Sequence, residues 1–273
     1  AICAALGTLL TRRAKARFLA DWRERQRTRR EQARVREELA LAREVQLSML
    51  PAGVPDLPWL DVAAACLPAS EVGGDYYDFF PLPDGLAVTV ADVAGHGVPS
   101  GLMLATVRSG LALLMEDGAA ADTVLPRLDR LVRRGSRRML VSLLLVRVEQ
   151  ERRRLVVTAA GHPPLLLRRA DGTLAEIELP GPPLGTRLHH QQAVATVPFA
   201  AGDACLLYTD GLVETAAASG EPYGSTRLGA LLAAHDPGAG AAALCAAVLA
   251  DVATHRGEAP QHDDVTLVVL VAR

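Results

Sequence analysis

Apolar and polar positions fall in blocks along this chain, and the length and period of each block separate strands from helices. Short apolar runs bounded by Gly, Pro or Asp predict strands at Leu60–Leu67, Tyr76–Leu82, Leu86–Val93, Leu140–Glu149, Leu155–Ala160, Leu165–Arg169, Ala193–Pro198, Asp203–Thr209 and Val265–Val271. Longer stretches with apolar residues three and four apart predict helices at Pro99–Met115, Asp122–Arg133, Thr226–Ala234 and Gly240–His255. Pro99 falls in a first helical turn, where its missing N–H does no harm. No segment repeats.

The N-terminal part follows a different pattern. Pro and Gly are absent between Thr8 and Met49, and Ala, Arg, Glu and Leu dominate, so residues 12 to about 50 predict one long helix. Val35, Leu39, Ala42, Gln46 and Met49 recur at spacings of four, three, four and three, which fits a coiled-coil seam. The same spacing over two heptads also fits a helix laid on its own domain. Pro51 and the segment PAGVPDLPWL end the helix, dividing a helical linker, 1–50, from a folded domain, 51–273. The first ten residues, AICAALGTLL, are apolar and run directly into TRRAKAR, a stop-transfer boundary. Ten residues are about half of what a bilayer-crossing helix needs. Two readings stand: a membrane anchor at or upstream of residue 1, or an alanine left after removal of an initiator Met.

Charge sharpens this division. Residues 12–44 carry twelve Arg or Lys against six acids, a net +6, so residues 45–273 sum to -8 within a chain total of -2. The folded region is therefore no nucleic-acid surface. Half of the 273 residues are hydrophobic, enough for one sizeable core. Lys15 is the only lysine, which reflects a general preference for Arg, Ala, Leu and Gly. Cys3, Cys66, Cys205 and Cys245 form no metal-ligand or redox pair, which implies a reducing, cytoplasmic setting.

The candidate chemistry lies in four aspartates: Asp75 in EVGGDYYDFF, Asp92 in VTVADVAGHG, Asp210 in LLYTDGLVET and Asp263 in HDDVTLVVL. Asp92 and Asp210 each end an apolar run and precede glycine, the grammar of a buried strand delivering a carboxylate to a loop. Asp75 follows two glycines, and Asp263 opens the last strand. Oxygen ligands without a His or Cys cluster favour a hard cation, Mg2+ or Mn2+, over zinc.

These stretches, with AREVQLSMLP at 42–51, AGHPPLLLRRADG at 160–172, GPPLG at 181–185 and GEPYGSTRL at 220–228, resemble the metal-dependent type 2C protein phosphatases, in the branch typified by the stage II sporulation protein E phosphatase. The resemblance runs from about Ala42 to the C-terminus. It implies an α+β fold, a four-layer α-β-β-α sandwich of two antiparallel sheets, preceded here by the long helix. It also implies two Mn2+ or Mg2+ ions. Asp92 would be the bridging ligand that holds the attacking metal-bound water, with the backbone carbonyl of Val93 beside it; Asp210 and Asp263 would ligate the other ion, and Asp75 would contribute near the first. No phosphoenzyme is expected. The implied activity is hydrolysis of phosphoserine or phosphothreonine on an anti-sigma-factor antagonist protein. In this family the N-terminal position links a sensor to the phosphatase and often dimerises, so residues 24–50 are expected to form a homodimer, in the cytoplasm or at the inner face of the membrane.

The neighbours weigh less. Strand alternation turns Asp78 and Asp264 away from Asp75 and Asp263, which suits hydrogen bonding behind the ligands better than ligation. His96 could protonate the leaving oxygen, but its offset from Asp92 differs from the histidine of type 2C phosphatases outside this branch, and turn packing is the simpler role. His162 reads as structural, and His189 and His190 as exposed loop. Two other functions share the motif: a non-catalytic docking or sensing module of the same fold, and a metal-dependent nucleotide enzyme such as a cyclase. The first would lose acidic ligands, and all four are present; the second lacks a phosphate-cradling GxxxxGK[ST] here.

Overall fold

The computed structural model describes residues 2–69, 72–95, 97–136, 138–188 and 193–273. Ala1, His96, His189 and His190, to which the sequence attached expectations, lie outside the described residues.

The folded region opens with β1 (Leu60–Leu67), β2 (Asp75–Leu82) and β3 (Gly85–Val93), followed by α2 (Val98–Glu116) and α3 (Ala121–Gly135), all after an N-terminal helix α1 (Ile2–Leu47). Then come β4 (Val141–Glu149), β5 (Arg154–Ala160), β6 (Leu165–Arg168), β7 (Leu174–Ile177), β8 (Val194–Pro198) and β9 (Ala204–Tyr208). Three helices, α4 (Asp210–Glu214), α5 (Ser225–Ala234) and α6 (Gly240–Arg256), precede the last strand, β10 (Val265–Ala272).

Two five-stranded sheets form, in the orders β1-β10-β9-β6-β7 and β2-β3-β4-β5-β8, and every pairing is antiparallel. The strands that read as continuous apolar runs are central and buried on both faces, as β9 and β10 are. β8 alternates exposed and half-buried residues, as an edge strand should. Sequence reading missed β7: LAEI is four residues long, half of them exposed, and has no apolar run to announce it.

Three apolar layers explain the stacking. Leu144, Leu155, Leu207 and Val268 meet between the sheets. Leu111, Leu128 and Val132 of α2 and α3 cover one outer face against Ala91 and Leu143. Leu228, Leu244 and Val248 of α5 and α6 cover the other against Leu206 and Val269. This is the expected four-layer sandwich. Cutting any of the fully buried leucines back to Ala costs about 2–5 kcal/mol. α2 is long and apolar enough to cross a membrane by length and composition, but seven of its residues are buried in the chain's own core.

α1 departs from the simple seam. Most of its described side chains are exposed, including Val35, but Gln46 is buried and Met49 just beyond the helix packs on the α2 layer. The last seam positions therefore close on this chain's own domain, leaving Leu41, Val45 and Leu47 as exposed apolar residues there. Heptad spacing reports an apolar stripe without saying which surface covers it.

Candidate metal centre

Antiparallel pairing brings the first two carboxylates together. Asp75, the first residue of β2, is the register partner of Asp92 near the end of β3. Such partners have Cα atoms about 4.5–5.5 Å apart. The second sheet brings the other pair to the same end: β9 runs through Thr209 into Asp210, the first residue of α4, and Asp263 and Asp264 lead into neighbouring β10. The sequence placed Asp210 on a loop; it starts a five-residue helix.

Side-chain bonds tie the two sheets at this point. The Thr209 hydroxyl donates to Asp75 Oδ2 at 2.7 Å and accepts from Thr266 N at 3.0 Å. Asp264 Oδ1 accepts from Ala69 N, and its Oδ2 from Gly74 N, both at 2.7 Å. Gly73 and Gly74 are required by this crowding. A Cβ on Gly73 would overlap the Asp264 carboxylate, and one on Gly74 would lie 2.6 Å from the Val93 carbonyl and 2.7 Å from Asp92 Oδ1. The Val93 carbonyl and the Asp92 carboxylate thus border the same small space, and Val93 N donates to Gly74 O at 3.0 Å.

The charge at this edge is unbalanced. Burial first, and then the charges of Asp92 and Asp264, hold Asp75 well above the usual carboxylate range, against the hydroxyl donors that favour its ionised form. Asp92 is pushed up to about 7, by burial and then by Asp210, Asp263 and Asp264. Asp263 is raised as well, by burial and then by Asp210 and Asp264. Among the described residues, no basic side chain acts on these three. Among the described residues no three His, Cys, Asp or Glu side chains close on one point. An all-oxygen donor set, partly desolvated and without a countercharge, fits a hard divalent cation.

Asp78 and Asp264 separate in kind. Three positions along β2 from Asp75, roughly 10 Å away, Asp78 accepts from Tyr76 Oη and Phe79 N and pairs with Arg108 of α2 at 3.6 Å. It belongs to the α2 interface. Asp264 spends both oxygens on backbone amides and so shapes the loop that presents Asp75.

Sequence reasoning missed three contributors. Thr209 carried no signal beyond preceding Asp210. Ser142 is the β4 register partner of Asp92, and its Oγ lies 2.9 Å from His162 Nδ1. Burial pushes that imidazole down to about 3, so it is neutral, in keeping with a structural role. Gln46 of α1 bonds to Gly73. Beside Asp263 a cleft of about 180 Å³ is lined by Gly211, Glu214, Thr215, Pro260, Gln261 and His262.

Known proteins share this frame. The family model described as Stage II sporulation protein E (SpoIIE) matches residues 83–273, a span that contains Asp92, Asp210 and Asp263 but not Asp75 or α1. Phosphoserine phosphatase RsbU of Bacillus subtilis is 26% identical over 185 residues, 67% of this chain and 55% of that protein. The chain spans about half the length of the curated relatives it matches. Among solved structures, the SiaA-PP2C domain of Pseudomonas aeruginosa superposes with a TM-score of 0.78 at 26% identity, covering 89% of this chain and 98% of that one. The RsbU and RsbW domains of a Mycobacterium tuberculosis protein give 0.73 at 30% identity, over 81% of this chain and 64% of theirs. With one family model spanning most of the folded region and the two-sheet frame common to these structures, the chain belongs to the Stage II sporulation protein E (SpoIIE) family.

Proposed function

We propose that this chain is a Mn2+- or Mg2+-dependent protein phosphatase acting on phosphoserine or phosphothreonine, with Asp75, Asp92, the Val93 carbonyl, Asp210 and Asp263 as the residues that would hold two ions. The observation that carries the reading is the uncompensated group of carboxylates gathered from both sheets at one edge, with no basic side chain among the described residues acting on Asp75, Asp92 or Asp263. Bound there, divalent ions would supply Lewis acidity toward the phosphoryl oxygens and activate water.

The chain's own residues do the positioning. Thr209 fixes one oxygen of Asp75, Asp264 fixes the loop before it, and Gly74, which accepts from Val93 N and has no Cβ, leaves room for the Asp92 carboxylate and the Val93 carbonyl beside it. The cleft beside Asp263 gives room for polypeptide flanking a phosphorylated residue. The likeness to a phosphoserine phosphatase named RsbU supports a phosphoprotein substrate, and we assign it to the class of anti-sigma-factor antagonists. The exposed side chains of α1 among its described residues support a homodimer through residues 24–50, and we place the protein in the cytoplasm or at the inner face of the membrane. The test is phosphate release from phosphorylated antagonist proteins with and without Mn2+. Release that needs Mn2+ supports the reading, and a chain inert toward every phosphoprotein but active on nucleotides overturns it.

A further inference from the structure

Strand register sets three polar side chains in one row at the metal edge. Asp75 of β2 is the partner of Asp92 of β3, and Asp92 is in turn the partner of Ser142 of β4. Partners across a ladder present their side chains on one face. Asp92 lies two positions after Val90 and Ser142 two before Leu144, both of which pack between the sheets, so that face is the inner one. The outer members of the row are held. Thr209 of the opposite sheet donates to Asp75, and Ser142 Oγ lies 2.9 Å from His162 Nδ1. His162 sits on the crossing from β5 to β6, where the chain passes from one sheet to the other, and the Tyr208 carbonyl at the end of β9 acts on its ring. Gly161 fixes that crossing: at φ +59° it donates to Gly181 O and packs so closely on Pro183 that a Cβ would lie 2.5 Å from the proline ring. Between the two held members, the Asp92 carboxylate accepts no hydrogen bond from any described residue.

We infer that Ser142 is a positioning residue of the metal centre: His162 fixes its hydroxyl, and the hydroxyl steadies the neighbouring Asp92 carboxylate for divalent cations, as Thr209 steadies Asp75. This rests on the phosphatase reading of the same site and adds to it the support on the β4 side. A serine hydroxyl has one donor and two acceptor positions, and either tautomer of a neutral imidazole takes up one of them. The rest serve Asp92 and the water around it. The physical reason is preorganisation. A hydroxyl already fixed by a ring does not have to lose its rotamer freedom at the expense of cation binding, and partners of this kind behind a ligand are worth about 10–100-fold in metal affinity.

The test uses four full-chain variants. Ser142→Ala removes the hydroxyl, Ser142→Thr keeps it, His162→Leu removes its holder, and a fourth chain carries Ser142→Ala and His162→Leu together. Mn2+ binding is measured by calorimetry, and Tm is measured in excess EDTA. Ser142→Ala should weaken Mn2+ binding about tenfold or more, whereas Ser142→Thr should bind within about threefold of the parent. The metal-free Tm of both should stay within about 4 °C of the parent. The double variant should bind no more weakly than the weaker single one, because the two residues act as one unit. The inference is overturned if Ser142→Ala keeps Mn2+ affinity within about twofold, if Ser142→Thr binds no better than Ser142→Ala, or if the two single losses add. Should His162→Leu fail to fold, the contrast between Ser142→Ala and Ser142→Thr decides alone. A parent chain that binds Mn2+ but releases no phosphate would sink the phosphatase reading and leave this one standing. A parent chain that binds no Mn2+ would overturn both.

Discussion

Asp75 and Asp92 are register partners across β2 and β3, yet their carboxylates are served from different parts of the chain. Asp75 Oδ2 is held by Thr209 from the opposite sheet, while Asp92 lies against Gly74 and the repelling charges of Asp210, Asp263 and Asp264. A pair held in this way costs folding free energy until a cation relieves it.

Asp92→Asn therefore has two opposite effects. Phosphatase rate should fall by at least about a hundredfold, beyond the 10–100-fold loss typical of residues that only support a ligand. In excess chelator the variant should melt higher than the parent, because one repelled charge is gone. Thermal melts with EDTA and with Mn2+, run beside phosphate release, check both. A rate near that of the parent would remove Asp92 from the metal centre.

Asp264 and Asp78 should separate by mechanism. Asp264→Asn turns an acceptor of backbone amides into a group that presents N–H toward one of them, at a cost of about 1–3 kcal/mol. Activity should drop with it. Asp78→Asn weakens the pair with the half-exposed Arg108 and the bonds from Tyr76 Oη and Phe79 N; it should cost about 1–3 kcal/mol of stability but leave the rate within a few-fold, since Asp78 lies away from the carboxylate edge. Urea unfolding and phosphate release on both variants check this, and a larger loss of rate in Asp78→Asn than in Asp264→Asn would contradict the roles given to these two residues.

Substrate preference should favour intact protein over peptide. Residues 45–273 sum to -8 and, among the described residues, no arginine acts on Asp92 at the carboxylate edge, so binding energy has to come from the surface of a folded partner. A short phosphopeptide should show a kcat/KM at least about tenfold below that of the phosphoprotein. Equal values would place all recognition at the phosphoryl group.

The dimer is tested at the residues α1 leaves bare. Leu41 is 62% and Val45 50% exposed, beside the similarly exposed Val98 and Leu102 of α2. Leu41→Glu should convert a dimer into a monomer in light scattering while Tm changes little, since Leu41 belongs to none of the three core clusters. A parent chain that is monomeric at tens of micromolar would end the dimer reading.

Residue type and spacing determined the order of strands and helices apart from β7 and α4, and the four aspartates worth following; the two-sheet sandwich came through family resemblance. These signals are local: an apolar run ending in Asp-Val or Tyr-Thr-Asp says where a carboxylate leaves a strand, and a period of two says that Asp78 turns away from Asp75. Only the tertiary structure decided which residues hold those carboxylates. Thr209 reaches Asp75 across 134 positions, Asp264 reaches Gly74 across 190, and Gln46 reaches Gly73 across 27. Each is a polar side chain whose partner is a distant backbone or carboxyl group, and no pattern along the chain encodes such a meeting. The same reason divided the seam: spacing marked Gln46 and Met49 as inward-facing, and packing showed that the surface they face is their own domain.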